Sequence, residues 1–331
     1  MNGVLIIDKP CGFTSHDVVN RVRRILRERS VGHLGTLDPM ATGVLPLVIG
    51  NFTRLAQFYL ASEKVYEGTV RFGFSTDTYD AEGEPTSDSS DITLVPEQVE
   101  AVAAKFRGVI EQIPPPFSAK KIKGVPAYKL ARKHQEVTLK AVQVEIKELD
   151  IVSVEKDRVR FRSHVASGTY MRSIAHEMGK AFGCGAHLES LRRTAVSEFT
   201  LADAHTLESI AEMTLKENNE DSHSDRNLAF PHEKGSEVGE SAVPAASRSL
   251  DDSFVHPRKL LPQFPSVTAD EQTAARIRAG RPVNLPELSR ARQVKVFSGQ
   301  RDLIAVATRV AGTLFHAKIV LCGADTLVRQ P

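Results

Sequence analysis

Gly32-His33-Leu34-Gly35-Thr36-Leu37-Asp38-Pro39-Met40-Ala41-Thr42-Gly43 is the stretch on which the reading of the whole chain turns. Its glycines permit backbone conformations that side chains forbid, and Pro39 fixes the chain direction just after Asp38. The Asp38 carboxylate is therefore presented from a constrained loop, as a held nucleophile requires. Asp-Pro is also a common turn, and the dipeptide alone fits a structural role at least as well. A phosphate cradle is a poorer fit, because the segment lacks the Gly-Lys-Ser/Thr ending that grips phosphate and magnesium.

Outward from this loop, the residues upstream read as a strand over 3–8, closed by a Lys9-Pro10-Cys11-Gly12 turn. A helix follows, capped by Thr14 or Ser15. Val18, Val19, Val22, Ile25 and Leu26 share one face of it, and Arg21, Arg23, Arg24, Arg27 and Arg29 take the others. Downstream come a strand over 44–49, a short helix over 53–60, a strand over 64–74 carrying Tyr66, a polar turn over 75–85 and a helix over 96–106 opened by Pro96. Residues 141–153 and 158–165 alternate like paired strands, and 168–182 reads as a helix. Strands and helices mixed without a regular βαβ rhythm predict an α+β fold with a mixed sheet.

Three further segments differ in character. Pro114-Pro115-Pro116 leads into 118–140, which holds seven Lys or Arg against the single acid Glu136, with Tyr128 interleaved. It buries little surface of its own, so 114–142 is expected to project as a basic arm. Residues 216–254 are rich in Ser, Glu, Asp, Asn and Gly and read as a disordered acidic linker. The last segment, 255–331, is expected to be a small β-rich domain with a helix over 266–280 and strands over 293–297, 302–310 and 312–320. The domains are then 1–215, the linker 216–254, and 255–331.

Composition agrees with a globular protein: 41% of the 331 residues are hydrophobic and 25% charged. No run approaches the roughly 20 apolar residues that cross a bilayer, and the opening residues do not look like an export signal, so no membrane partner and a cytoplasmic location are expected. Cys11, Cys184 and Cys322 are odd in number and far apart, which gives neither a disulfide framework nor metal-ligand spacing; buried or incidental thiols are expected. The net charge of +2 is unevenly spread. Residues 1–215 hold 27 Lys+Arg and 27 Asp+Glu, residues 216–254 hold 4 and 9, and residues 255–331 hold 12 and 5. A basic C-terminal module suits a protein that neutralises phosphates.

The run from His33 to Gly43 resembles the catalytic motif of the TruB family of tRNA pseudouridine-55 synthases. Other pieces arrive in that family's order: Asp8-Lys9-Pro10, Lys64-Val65-Tyr66, Gly168-Thr169-Tyr170-Met171-Arg172, Gly183-Cys184-Gly185-Ala186-His187 and Leu191-Arg192-Arg193. The resemblance covers about residues 1–210 and, more loosely, the C-terminal segment. It implies a pseudouridine-synthase fold, a central mixed and mainly antiparallel sheet flanked by helices, with a PUA-like RNA-binding domain at the C-terminus. It also implies isomerisation of uridine 55 in the T loop of tRNA, with Asp38 as nucleophile and no cofactor or metal. In that scheme Arg172 pairs with Asp38, Tyr66 stacks on the base, Tyr170 and Leu191 wall the pocket, and His33 occupies space near the extruded nucleotide.

The implied partner is the T arm of tRNA, with no obligate protein partner and a monomeric chain. A carboxylate can add either to C6 of the uracil or to C1′ of the ribose, and the residues leave both open. A guide-RNA-dependent synthase and a tRNA-binding protein without catalysis remain the alternatives. Val165-Ala166-Ser167 departs from the Cys-Ser-Lys that precedes this glycine in the family, which removes one lysine from the expected RNA contacts.

Overall fold

The computed structural model describes residues 1–118, 120–122, 125–126, 139–224 and 249–321. Most of the basic arm, the stretch 225–248 and Cys322 lie outside the described residues.

The main sheet runs, in spatial order, Ala204–His205, Gly3–Lys9, Thr42–Ile49, Ala186–Val196, Lys64–Phe72, Arg158–Val165, Val142–Glu155 and Gly108–Gln112. Gly3–Lys9 is parallel to Ala204–His205, and Thr42–Ile49 is parallel to Ala186–Val196. The other neighbours in this order are antiparallel, so the sheet is mixed and mainly antiparallel as expected. Gly3–Lys9 and Thr42–Ile49 are apolar and buried almost throughout, as suits strands covered on both faces, whereas Arg158–Val165 alternates buried and exposed.

The helix Ser15–Ile25 begins where Thr14 accepts from the Asp17 amide while the Asp17 carboxylate accepts from Thr14 N, a reciprocal cap. Its Val18, Val19 and Val22 enter the main core. The helix Met171–Phe182 lies on the same core through Met171, Ile174, Ala175 and Met178. It starts three residues later than 168 because Gly168 has φ +90° and Tyr170 remains extended.

The C-terminal unit is a five-stranded sheet in the order Ser266–Ala269, Gln293–Ser298, Asp302–Ala311, Leu314–Val320 and Val283–Asn284. The helix expected over 266–280 is shorter. Ser266–Ala269 is a strand parallel to Gln293–Ser298, and the helix Glu271–Arg278 begins only where the Asp270 carboxylate accepts from Thr273 N. The stretch read as linker is structured at both described ends. The helix Leu207–Ser224 runs into it from one side. From the other, Leu250 is buried in the main core and Val255 N donates to Val4 O. Cys11 is exposed and Cys184 partly so, both as free thiols. Among the described residues no helix is long and apolar enough to cross a membrane, and no group of side chains is placed to hold a metal.

Candidate active site

Asp38 sits on the loop that crosses from the strand Val31–His33 into Thr42–Ile49. Three buried side chains fix this loop from below. Ser15 Oγ donates to Leu37 O at 3.2 Å and accepts from Leu37 N at 2.8 Å. Lys9, fully buried, donates from Nζ to Pro39 O at 3.1 Å and to the carbonyls of Pro10 and Phe13. Arg193, also fully buried, donates from its guanidinium to Gly35 O, Thr36 O and Val44 O. Each cation is satisfied by carbonyl oxygens, so the loop's own backbone stands where a counter-anion would otherwise be needed.

Gly43 closes the loop with φ +102°. A Cβ there would lie 2.2 Å from Arg193 O, so the strand carrying Arg193 can approach only a glycine.

Arg172 rises from the first turn of Met171–Phe182 and is 4% exposed. Its Nη2 donates to Asp38 Oδ1 at 3.0 Å. Nε lies 2.8 Å from Asp38 Oδ2 as an ion-pair contact, although its N–H is not aligned for a hydrogen bond. Nη1 donates to Thr78 O and lies 3.4 Å from Asp80 Oδ2, and Nη2 also donates to Phe117 O. The guanidinium is thus held by two carboxylates and two carbonyls, which leaves it little freedom to turn.

Its own helix is seated by Gln112. That side chain accepts from Tyr170 N at 2.8 Å and donates to Tyr170 O at 3.1 Å, while Ser173 Oγ donates to Ile113 O.

About a third of the Asp38 side chain, 34%, remains open. The enclosed part dominates its ionisation. Burial pushes the carboxyl above the ordinary aspartate range, Arg172 pulls it back, and Asp80 adds to the rise. Glu82, on the Asp80 turn, is raised by burial and by the Asp80 and Asp38 charges. Burial pushes the Lys9 ammonium down to about 8. Burial also raises the Tyr170 phenol, which feels the charges of both Arg172 and Asp38.

Of the residues named from the sequence, Asp38, Arg172 and Tyr170 therefore meet in one place. Tyr66 and Leu191 are buried in the core cluster that also holds Leu37 and Met40. Tyr66 lies opposite Arg193, and Leu191 opposite Gly68. In the sheet, Leu191 is on the strand next to Thr42–Ile49 and Tyr66 on the one beyond it. His33 is paired with Leu47, and burial and the Arg193 and His16 charges lower its imidazole pKa; among the described residues no hydrogen bond or ion pair joins it to Asp38.

Asp80 and Gln112 were not singled out in the sequence, and Lys9 and Arg193 were noted only as parts of motifs. A lone carboxylate inside a polar turn gives no letter-level sign that it is 4% exposed beside an arginine.

Comparison with known proteins places the chain in a family. The TruB family pseudouridylate synthase N-terminal domain matches residues 23–171, and the tRNA pseudouridylate synthase B C-terminal domain matches residues 172–234. The chain is 48% identical to a protein named tRNA pseudouridine synthase B from Solibacter usitatus (strain Ellin6076), over 97% of this chain and 100% of the relative. It is 36% identical to one of the same name from Burkholderia mallei (strain NCTC 10247), over 98% of each. Among solved structures, one described as a Cbf5-Nop10-Gar1 complex matches with a TM-score of 0.67 at 23% identity, covering 98% of this chain and 86% of that one, which supports the fold. With family domains matched across both sides of the site and near-complete alignment to its relatives, this chain belongs to the TruB family of pseudouridylate synthases.

Proposed function

We propose that this protein converts uridine 55 in the T loop of tRNA to pseudouridine, with the Asp38 carboxylate as nucleophile and no cofactor. The observation that carries the reading is the partly open Asp38 carboxylate gripped by the buried Arg172 guanidinium, on a loop pinned by Lys9, Ser15 and Arg193. The full-length relatives named tRNA pseudouridine synthase B supply the substrate.

In this scheme the target nucleotide leaves its stack, at a cost of about a few kcal/mol, and enters beside Asp38. The carboxylate adds to C6 of the base or to C1′ of the ribose. The C1′–N1 bond breaks, a C1′–C5 bond forms, the bond to Asp38 breaks to return the free carboxylate, the C5 proton leaves and N1 takes one up, so substrate and product are isomers. Tyr66 stacks on the base and assists removal of the C5 proton. Tyr170 and Leu191 wall the cavity, and His33 fills space near the displaced nucleotide. Residues 1–215 form the catalytic unit with its basic arm at 114–142, and 255–331 form a PUA-like unit that grips RNA phosphates. The chain works in the cytoplasm as a monomer without an obligate protein partner.

The test is tritium release from C5-labelled uridine in an unmodified tRNA transcript treated with purified protein alone, with the modified position then mapped. Turnover at position 55 is expected. A strict need for guide RNA and partner proteins would reject this reading.

A further inference from the structure

Beside the site lies a pair of cations without a counter-anion. Lys64 opens the strand Lys64–Phe72 on the same face as Tyr66, two residues or about 7 Å along the strand from it. Its ammonium donates to Ser62 O at 2.6 Å and lies 3.4 Å from Ser167 Oγ, which itself donates to Leu60 O. Arg193 stands next to it. A methyl placed on Gly35 would be 3.7 Å from both Arg193 Nη1 and Lys64 Cε.

Among the described residues no carboxylate is within ion-pair distance of either cation. The neighbouring Glu63 is engaged by Lys147 and His164 instead. Burial and the Arg193 charge push the Lys64 ammonium down to about 8. An anion arriving here would oppose that shift, and the ammonium, held by one carbonyl and one hydroxyl, has a third N–H to offer it. Arg193 is fully buried and uses three of its N–H groups on Gly35, Thr36 and Val44, so it contributes charge, and Lys64, only partly buried, is the side chain placed to meet an incoming anion.

We infer that Lys64, backed by Arg193, binds a backbone phosphate flanking the nucleotide that reacts at Asp38. The spacing suits this. Gly35 lies three residues before Asp38, and Lys64 lies one side-chain step from Tyr66, so an anion at Lys64 is within one nucleotide's reach of the base position. The inference rests on the proposed reaction and makes Lys64 a positioning residue for it.

The experiment uses the full chain and an unmodified T-arm stem-loop RNA, with the two phosphates flanking the target uridine replaced one at a time by neutral methylphosphonate. For the unaltered enzyme, one replacement should raise KM about tenfold, with the loss in KM rather than kcat. Lys64→Gln should raise KM by a similar factor and lower the slope of log affinity against log salt by about 0.7 to 1. Lys64→Arg should restore the slope. In the cycle combining Lys64→Gln with the sensitive methylphosphonate, the second change should add little to the first.

Additive losses, an unchanged salt slope, a loss confined to kcat, or insensitivity of the unaltered enzyme to both replacements would each overturn the phosphate site. The methylphosphonate arm needs no variant, so poor folding of Lys64→Gln would not shelter the idea. If the unaltered enzyme converts no uridine in the unsubstituted RNA, it is the proposed reaction that fails.

Discussion

As the proposed nucleophile, Asp38 would have to react as an anion in surroundings that disfavour one, and its two charged neighbours act in opposite directions. The active carboxylate is lost as pH falls through its pKa, which burial has already raised, so the acid limb of kcat/KM should lie above the ordinary aspartate range. Arg172 lowers that pKa, so Arg172→Met should move the limb to higher pH besides cutting kcat. Asp80 raises it, so Asp80→Asn should move the limb to lower pH while loosening the hold on Arg172. A pH profile of each variant checks the pair; shifts of the same sign would break the electrostatic account. Asp38→Asn should abolish tritium release with RNA affinity within a few fold, and retained turnover would remove Asp38 from its role. Asp38, Tyr170 and Arg172 were legible because the motifs that hold them resemble those of the TruB family. Asp80 was not, since an acid in a turn is written the same way whether water or an arginine surrounds it. Gln112 was hidden for a similar reason: its two bonds go to the backbone of Tyr170, 58 residues away.

The elements around the loop explain why so short a segment keeps its shape. The Leu37 amide and carbonyl both end on one hydroxyl, so Ser15→Ala leaves a buried N–H and C=O without partners. That should cost about 1–3 kcal/mol of stability, read from urea unfolding, and should reduce kcat by more than the lost folded fraction explains. Gly43→Ala combines a positive φ with a Cβ driven into Arg193 O, and should be the harsher change, with soluble yield and thermal midpoint both falling. Element types were readable wherever periodicity was strong, as in the helix Ser15–Ile25 and the strands Arg158–Val165 and Gln293–Ser298. They failed where one residue's backbone set the boundary. Gly168 and the extended Tyr170 delay one helix, and the Asp270 cap delays another, turning Ser266–Ala269 into a strand. The acidic stretch misled at its ends because composition reports average polarity, whereas Leu250 enters the main core and Phe254 bridges to Leu5.

At the scale of the whole molecule, the basic C-terminal unit is built into the first rather than tethered to it. One apolar cluster joins Val4, Phe52, Leu55 and Phe199 to Leu260, Leu261, Phe297, Leu303 and Ile319. Glu198 accepts from both the Tyr59 hydroxyl and the Leu261 amide, Arg54 Nη1 donates to Val320 O, and the buried Lys295 ammonium is capped by Arg258 O and Leu260 O. Removing residues 255–331 would therefore strip the cover from Phe52 and Phe199 and lower stability along with any RNA contact, so that deletion cannot isolate the role of charge. The outer face of the C-terminal sheet offers a cleaner measurement. Arg292, His316 and Lys318 cluster there around Gln293 and Thr308, and Arg292 and Lys318 are exposed. Lys318 also rests over the Phe58 ring at 5.2 Å, and Gln would remove this cation–π contact, a loss of about 0.5–1 kcal/mol that is small beside the joint core. If this face holds RNA phosphates, the double variant Arg292→Gln with Lys318→Gln should keep its thermal midpoint within a few degrees. Its tRNA affinity should fall, with a salt slope shallower by about 2, because two fewer phosphates are neutralised. An unchanged slope in a normally folded double variant would mean that the positive charge of the C-terminal unit serves something other than grip on the RNA backbone.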